Sequence, residues 1–278
     1  MKKILVPIDF SDNSDYALEV AAQLAKKFNT ELVALHMMGL SQAVITKEDS
    51  KEVMEAMFYM KLAEKRFNEF LDKPYLDGLK VHTTVQNYKQ FHEIDHVAQE
   101  FDCDLIVMGS HGSSGLKEVF VGSNTEKVVR NSERPVLVIK NRAKNFNLEK
   151  VVFASSFDRE IIPVFQKVKK FVNTFGAKLE LVYINTPGDG FRSTKEMNNK
   201  ILQFLLESKA ANDFQLSDII SYNAYTVEEG VFDFSHQVQA DAIAMPTHGR
   251  KGLAHFFSGS ISEDLVNHAD LPVITFKI

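Results

Sequence analysis

The chain is written twice, and that feature constrains its fold more than any other. The stretch MGSHGSSGLKEVFVGSNTEKVVRNSERPVLVIK, from Met108 to Lys140, lies without a gap over MPTHGRKGLAHFFSGSISEDLVNHADLPVITFK, from Met245 to Lys277. The offset is a constant 137 residues, and thirteen of the 33 positions are identical. KKILVPIDFS (Lys2–Ser11) lies in the same way over EKVVFASSFD (Glu149–Asp158), but at an offset of 147. The first copy therefore carries ten residues more than the second between these two regions. A chain of 278 residues suits two units of about 100 to 150 residues, each with its own core.

Within the first copy, short apolar runs alternate with amphipathic stretches, which is the pattern of parallel βαβ units. Strands are expected at Ile4–Ile8, Glu31–Met37, Leu79–Val85, Asp104–Met108 and Pro135–Ile139. Ala17, Val20, Ala21, Leu24, Ala25 and Phe28 recur at helical spacing between the first two. Further helices are expected over Ser50–Leu71 and Gln90–Phe101, with a short one starting near Asn124. The second copy repeats the strands near Lys150–Ser155, Lys178–Ile184, Gln215–Ser221, Asp241–Met245 and Pro272–Phe276. The polar run NRAKNFN (Asn141–Asn147) marks the boundary, giving domains 1–143 and 148–278.

Composition removes several classes of function. Hydrophobic residues make up 45% and charged residues 25%, the balance of an ordinary globular protein. A net charge of -5 supplies no overall basic field for nucleic acid. The apolar run of MKKILVPIDF stops at Asp9, too soon for a secretory signal, and no run approaches a membrane span, so a cytoplasmic location is expected. Cys103 is the only cysteine; no internal disulfide or thiolate cluster can form, and a core position is expected for it.

The loop GSHGSSGLKEVFVGS (Gly109–Ser123) is the candidate site. It follows the fourth expected strand and leads into a short helix. Gly109, Gly112 and Gly122 can adopt positive φ and let their N–H groups form an anion nest, to which the helix N-terminus adds unpaired donors and its positive dipole end. A purely structural reading stands beside this one. Ser123 with Glu126, and Ser260 with Glu263, have the spacing of a capping box, and glycines in a loop are often only turn residues. Position favours the ligand. In a doubly wound sheet, ligands gather beyond the carboxyl ends of strands where the strand order reverses, and neighbouring first and fourth strands would bring Asp9 and Gly109 to that crevice.

Gly109, two residues, Gly112, nine residues, then Gly122-Ser123 matches the G-x2-G-x9-G-[ST] signature of the ATP-binding branch of the universal stress protein family. VPIDFS at the N-terminus and LHM in the second strand resemble that family too, and the similarity extends over both halves. The resemblance implies two tandem Rossmann-like (adenine nucleotide alpha hydrolase-like) α/β domains. Each would be a five-stranded parallel sheet in the order 3-2-1-4-5, and the last strands, Pro135–Ile139 and Pro272–Phe276, would pair antiparallel as an intrachain pseudo-dimer. It also implies an adenine nucleotide, ATP with Mg2+, in the first domain. Asp9 would lie at the nucleoside end and Met37 where the backbone meets adenine, while Gly109, Gly112, Gly122 and Ser123, with Asn124 beside them, would take the phosphate and ribose side. A role in stress response or signalling through a protein partner follows, with pairing of whole chains as a further expectation.

The second copy departs from this signature. Pro246 stands where the first glycine would be and Ser156 where the aspartate would be, although Gly249, Gly259 and Ser260 remain and Arg250 with Lys251 can still attract an anion. A degenerate second site is expected. Other chemistries fit less well. The loop lacks the G-x-G-x-x-G of a dinucleotide fold after strand one, and no Gly-Lys-Ser or Gly-Lys-Thr of a phosphate-binding P-loop occurs. His111 and His248 recur at equivalent positions, and His92 and His96 are four apart, but neither pair, nor His82, has the companions a metal site needs. No catalytic triad or nucleophile elbow is evident. The alternatives retained are a slow ATPase using Asp9 and a scaffold that binds no nucleotide.

Overall fold

A computed structural model of the chain describes residues 1–38, 50–86, 93–110, 123–247 and 270–278. It divides into two compact units, Met1–Phe146 and Asn147–Ile278.

In unit 1 the strands are β1 (Lys3–Pro7), β2 (Glu31–Met37), β3 (Val81–Gln86), β4 (Leu105–Gly109) and β5 (Val136–Ile139). The order is β3-β2-β1-β4-β5 and every neighbouring pair is parallel. The middle strands are apolar throughout because a parallel sheet is covered on both faces: Ile4, Leu5, Val6, Leu32, Val33, Leu105, Ile106 and Val107 are all fully buried. Around the sheet lie α1 (Asp12–Phe28), α2 (Ser50–Phe70), α3 (Glu93–Glu100) and α4 (Ser123–Asn131). Helix α1 is amphipathic in the expected way, burying Ala17, Val20, Ala21, Leu24 and Ala25. It ends on Asn29 in the left-handed conformation, a residue type that tolerates it. Helix α2 buries Ala63 and Phe67 on one side and leaves Met54, Phe58 and Leu62 exposed on the other.

Unit 2 repeats the plan with β6 (Lys150–Ala154), β7 (Lys178–Asn185), β8 (Ile219–Asn223), β9 (Ala242–Thr247) and β10 (Val273–Lys277), in the order β8-β7-β6-β9-β10, again all parallel. Its described helices are α5 (Ile162–Phe175), α6 (Thr194–Glu207) and α7 (Val227–Gln237). Phe153, Phe165 and Phe204 form its aromatic core, with ring centroids 5.2 to 6.1 Å apart. The duplicated α/β architecture and the 3-2-1-4-5 order are as expected. Backbone details repeat as well: the left-handed residues Phe10, Asn29 and Asp102 have left-handed equivalents in Phe157, Gly176 and Gln239, at the same 147 and 137 offsets.

Cys103 is buried, as expected, and burial pushes its thiol up to about 11. No helix among the described residues is long and apolar enough to cross a membrane.

Candidate functional site

In unit 1 the chain runs from β1 to β2 and β3 on one side and from β4 to β5 on the other, so the order reverses between β1 and β4. These two strands pair directly, Ile4 with Leu105 and Leu5 with Ile106. The crevice beyond their carboxyl ends is the switch point at which open α/β sheets place their ligands.

Asp9 sits at this point, two residues past the end of β1 and half-buried. Its Oδ1 accepts hydrogen bonds from the Ser11 backbone N–H (3.0 Å) and from Ser11 Oγ (2.6 Å), while Ser11 caps α1 by accepting from the Ser14 N–H (3.3 Å). The carboxylate is thereby held at the N-terminus of α1, whose exposed N–H groups favour negative charge. Between Asp9 and Ser11, Phe10 takes φ 65°, a conformation rare for an aromatic residue. Packing offsets the strain: the Phe10 ring lies 4.6 Å from that of His36, 5.5 Å from Phe67 and 5.6 Å from Phe70, with the Arg66 guanidinium 4.3 Å from its centroid.

Gly109 is not the first residue of a loop, as the sequence suggests, but the last residue of β4, in register with Ile139. Its φ is not positive. The physical reason for glycine here is a close approach: a Cβ at this position would lie 2.7 Å from the backbone oxygen of Asn13 in the first turn of α1. The Gly109 carbonyl accepts from Thr125 Oγ1 (2.8 Å), and Thr125 is buried. This bond anchors the start of α4, so Ser123 and Asn124 sit in the first turn of a helix fixed to the end of β4. Asn124 is exposed. Met37 ends β2, in register with Gln86 of β3, one strand away from Asp9. Gly112, Gly122 and His111 lie outside the described residues, as do His92 and, in the second copy, His248, Gly249, Arg250, Lys251, Gly259, Ser260 and Glu263. His82 is a partner of Glu31 (2.8 Å) and His96 is exposed.

Three participants carried no signal of their own in the sequence. Ser11 orients the aspartate, Thr125 ties α4 to β4, and the Phe10–His36–Phe67 cluster packs around the residue that follows Asp9. The repeat could have found the last of these. At the two offsets its members map onto Phe157, Tyr183 and Phe204, which form the same cluster in unit 2, with ring centroids 6.2 Å and 5.2 Å from Phe157.

The strand-one turn of unit 2 differs in a specific way. Where unit 1 has Asp9 and Ser11, unit 2 has Ser156 and Asp158: acid and hydroxyl have exchanged places, and the hydrogen bond between them is kept. The displaced acid is neutralised by Lys200 of α6 at 2.7 Å. Burial opposes ionisation of Asp158, but the bonds from Lys200 and Ser156 prevail and hold its pKa below the ordinary value. Pro246, the equivalent of Gly109, lies within β9 in register with Phe276. After the strand-one turn of unit 2 the chain passes through a 3-10 turn, Arg159–Ile161, before helix α5 begins at Ile162.

His36 offers a pH test of this cluster. Its Nδ1 donates to the Ile8 carbonyl at 2.8 Å. Burial first, and the nearby Arg66 charge, lower its pKa against the raising effect of the Ile8 bond and Asp9. The folded state thus resists a proton that the unfolded chain accepts near the ordinary value of 6.5, so the stability contributed by neutral His36 is present above that pH and lost as pH falls below it. Denaturant unfolding at pH 7.5 and 5.5 should show a larger loss of stability for the wild type than for His36→Gln. Equal losses would contradict this account.

Both halves of the chain match the model of the universal stress protein family, over residues 1–140 and 149–277. With the fold and the duplicated strand-end turns described above, the chain belongs to the universal stress protein family. Universal stress protein MJ0531 of Methanocaldococcus jannaschii is 34% identical over 150 residues, covering 51% of this chain and 84% of that protein. Universal stress protein Slr1230 of Synechocystis sp. is 20% identical over 297 residues and matches 100% of both chains. Among solved structures, a universal stress protein from Archaeoglobus fulgidus DSM 4304 has the same fold, with a TM-score of 0.68 at 22% identity over 99% of this chain and 96% of that one.

Proposed function

We propose that the protein is a nucleotide-binding universal stress protein acting in stress response or signalling, with one working site, in unit 1, for ATP or another adenine nucleotide with Mg2+. The observation that carries this reading is the placement of Asp9 and Gly109 at adjacent strand ends of the switch point. There Ser11 orients the carboxylate, and Thr125 fixes the helix that follows the glycine loop. This donor set fits the nucleoside side of such a ligand. A half-buried carboxylate accepts hydrogen bonds from hydroxyl or amino groups, and the first turn of α4, with Ser123 and Asn124, presents N–H groups to an anion. Met37 would border the base from β2, and Gly112 and Gly122 belong to the phosphate side by the spacing of the signature. Mg2+ would accompany the phosphates and neutralise their charge.

Unit 2 serves this reading as the degenerate partner. Its acid has moved to position 158 and is paired with Lys200, and Pro246 removes a backbone donor. Analysis of small molecules released by denaturing purified full-length protein tests the proposal. An adenine nucleotide close to one per chain, or its uptake after stripping and incubation with ATP and magnesium, is expected. Protein that carries none and takes up none would leave the scaffold reading in its place.

A further inference from the structure

Unit 2 contains a cleft of about 550 Å³ lined by Asn185, Phe191, Asn223, Tyr225, Glu229 and Asp233, with Pro187 and Ala224 completing the lining. It opens at the carboxyl ends of β7 and β8, and neither Ser156 nor Pro246 takes part. Its volume is that of a small-molecule site.

The walls are held by specific bonds. The buried Asn185 side chain donates to Asn223 Oδ1 (3.1 Å) and accepts from the Arg192 N–H (3.0 Å), which joins the end of β7 to β8 and to the segment carrying Phe191. Gly230 lets α7 come down on this end of the sheet, since a Cβ there would lie 2.7 Å from Ile184 Cγ2 and 2.9 Å from Ala224 Cβ. That approach sets Glu229 and Asp233, one turn apart on α7, along one side of the cleft, their Cβ atoms roughly 6 Å apart. Neither carboxylate has an ion-pair or hydrogen-bond partner among the described residues. Arg192, next to Phe191 in the sequence, donates instead to the Asp189 and Phe191 carbonyls, and its charge adds the smallest of the effects that lower the pKa values of Asp158 and Glu196. On the rim, Tyr225 is 83% and Phe191 59% exposed, an uncommon display of ring surface beside two unpaired acids.

Two carboxylates repel phosphate, so this cleft does not suit a nucleotide. The described residues contain no group of three or more His, Cys, Asp or Glu able to hold a metal ion. Carboxylates beside aromatic side chains and the apolar Pro187 and Ala224 suit an organic cation, whose charge meets the acids and whose carbon body covers the rings. We infer that the Phe191–Tyr225–Glu229–Asp233 cleft of unit 2 binds a small aliphatic ammonium ion of the diamine class, whose two charges span the turn between the carboxylates. The inference is independent of the nucleotide site in unit 1.

The test uses the full chain and 1,4-diaminobutane as probe, titrated calorimetrically and by NMR at low ionic strength. Binding is expected to perturb the signals of Tyr225 and Phe191 and to weaken with salt. It should fall about tenfold or more in the double variant Glu229→Gln, Asp233→Asn and about threefold in Tyr225→Ala. It should be unchanged in Glu228→Gln, which removes the same charge from a residue outside the cleft. The side chains substituted in the cleft are exposed and that of Glu228 is half-buried, and an unchanged thermal midpoint shows that the variants fold. No binding at millimolar diamine, equal binding in the double variant and the wild type, or an equal loss in Glu228→Gln would each overturn the inference.

Discussion

Gly109→Ala should destabilise unit 1 by about 1 to 3 kcal/mol, the range for forcing extra atoms into a packed interior. The methyl group would lie 2.7 Å from the Asn13 carbonyl oxygen, 2.8 Å from its carbon and 2.9 Å from Asn13 Cβ. The first two atoms belong to the backbone of the first turn of α1, which no rotamer change can move aside. Relief requires α1 to shift, and with it Ser11 and the carboxylate that Ser11 orients, so nucleotide affinity should fall together with stability. The second copy accommodates a side chain at this position, Pro246, where the helix begins at Ile162, three residues later than the equivalent of Asp12. Chemical denaturation of wild type and variant checks the expectation, and a variant as stable as the wild type would show that the close approach does not matter.

This position also shows how far the sequence could be read. Gly109 is picked out by its spacing from Gly112 and Gly122, yet the property that makes glycine necessary is the absence of a Cβ rather than freedom of φ. Spacing cannot separate the two, because the neighbour that excludes a side chain is 96 residues away in the chain (109 against 13). The strands were legible because a buried parallel sheet writes continuous apolar runs, and because each element is written twice at known offsets, whereas their order came only with the family resemblance. The left-handed Phe10 and Phe157 were not, since aromatic residues have no preference for that conformation and only tertiary packing holds them there.

The exchange of Asp9 and Ser11 for Ser156 and Asp158 was legible only in part. Aligned position by position, the second copy lacks the acid; in three dimensions it keeps one two residues later and turns it to Lys200. Thr125 escaped notice because it acts through a bond to the Gly109 carbonyl 16 residues away, and Ser11, only two residues from Asp9, because the sequence does not show which way its hydroxyl turns. The unit 2 cleft left no trace in the repeat at all. It depends in part on Phe191, which lies between Tyr183 and Phe204, where the offset changes from 147 to 137.

The second large effect concerns Asp9. Two hydrogen bonds from Ser11 hold its carboxylate just past the end of β1, and the displaced acid of unit 2 is held by Lys200. Losing a hydrogen bond to a charged group costs about 1.5 to 3 kcal/mol, so Asp9→Ala should weaken nucleotide binding by roughly 10- to 150-fold. Ser156→Ala should leave it unchanged. Calorimetric titration of the full-length wild type, Asp9→Ala and Ser156→Ala with ATP and magnesium tests the central claim most directly. The account predicts a single site close to one nucleotide per chain, weakened only by the change at Asp9; two equivalent sites per chain, or weakening by Ser156→Ala alone, would contradict it.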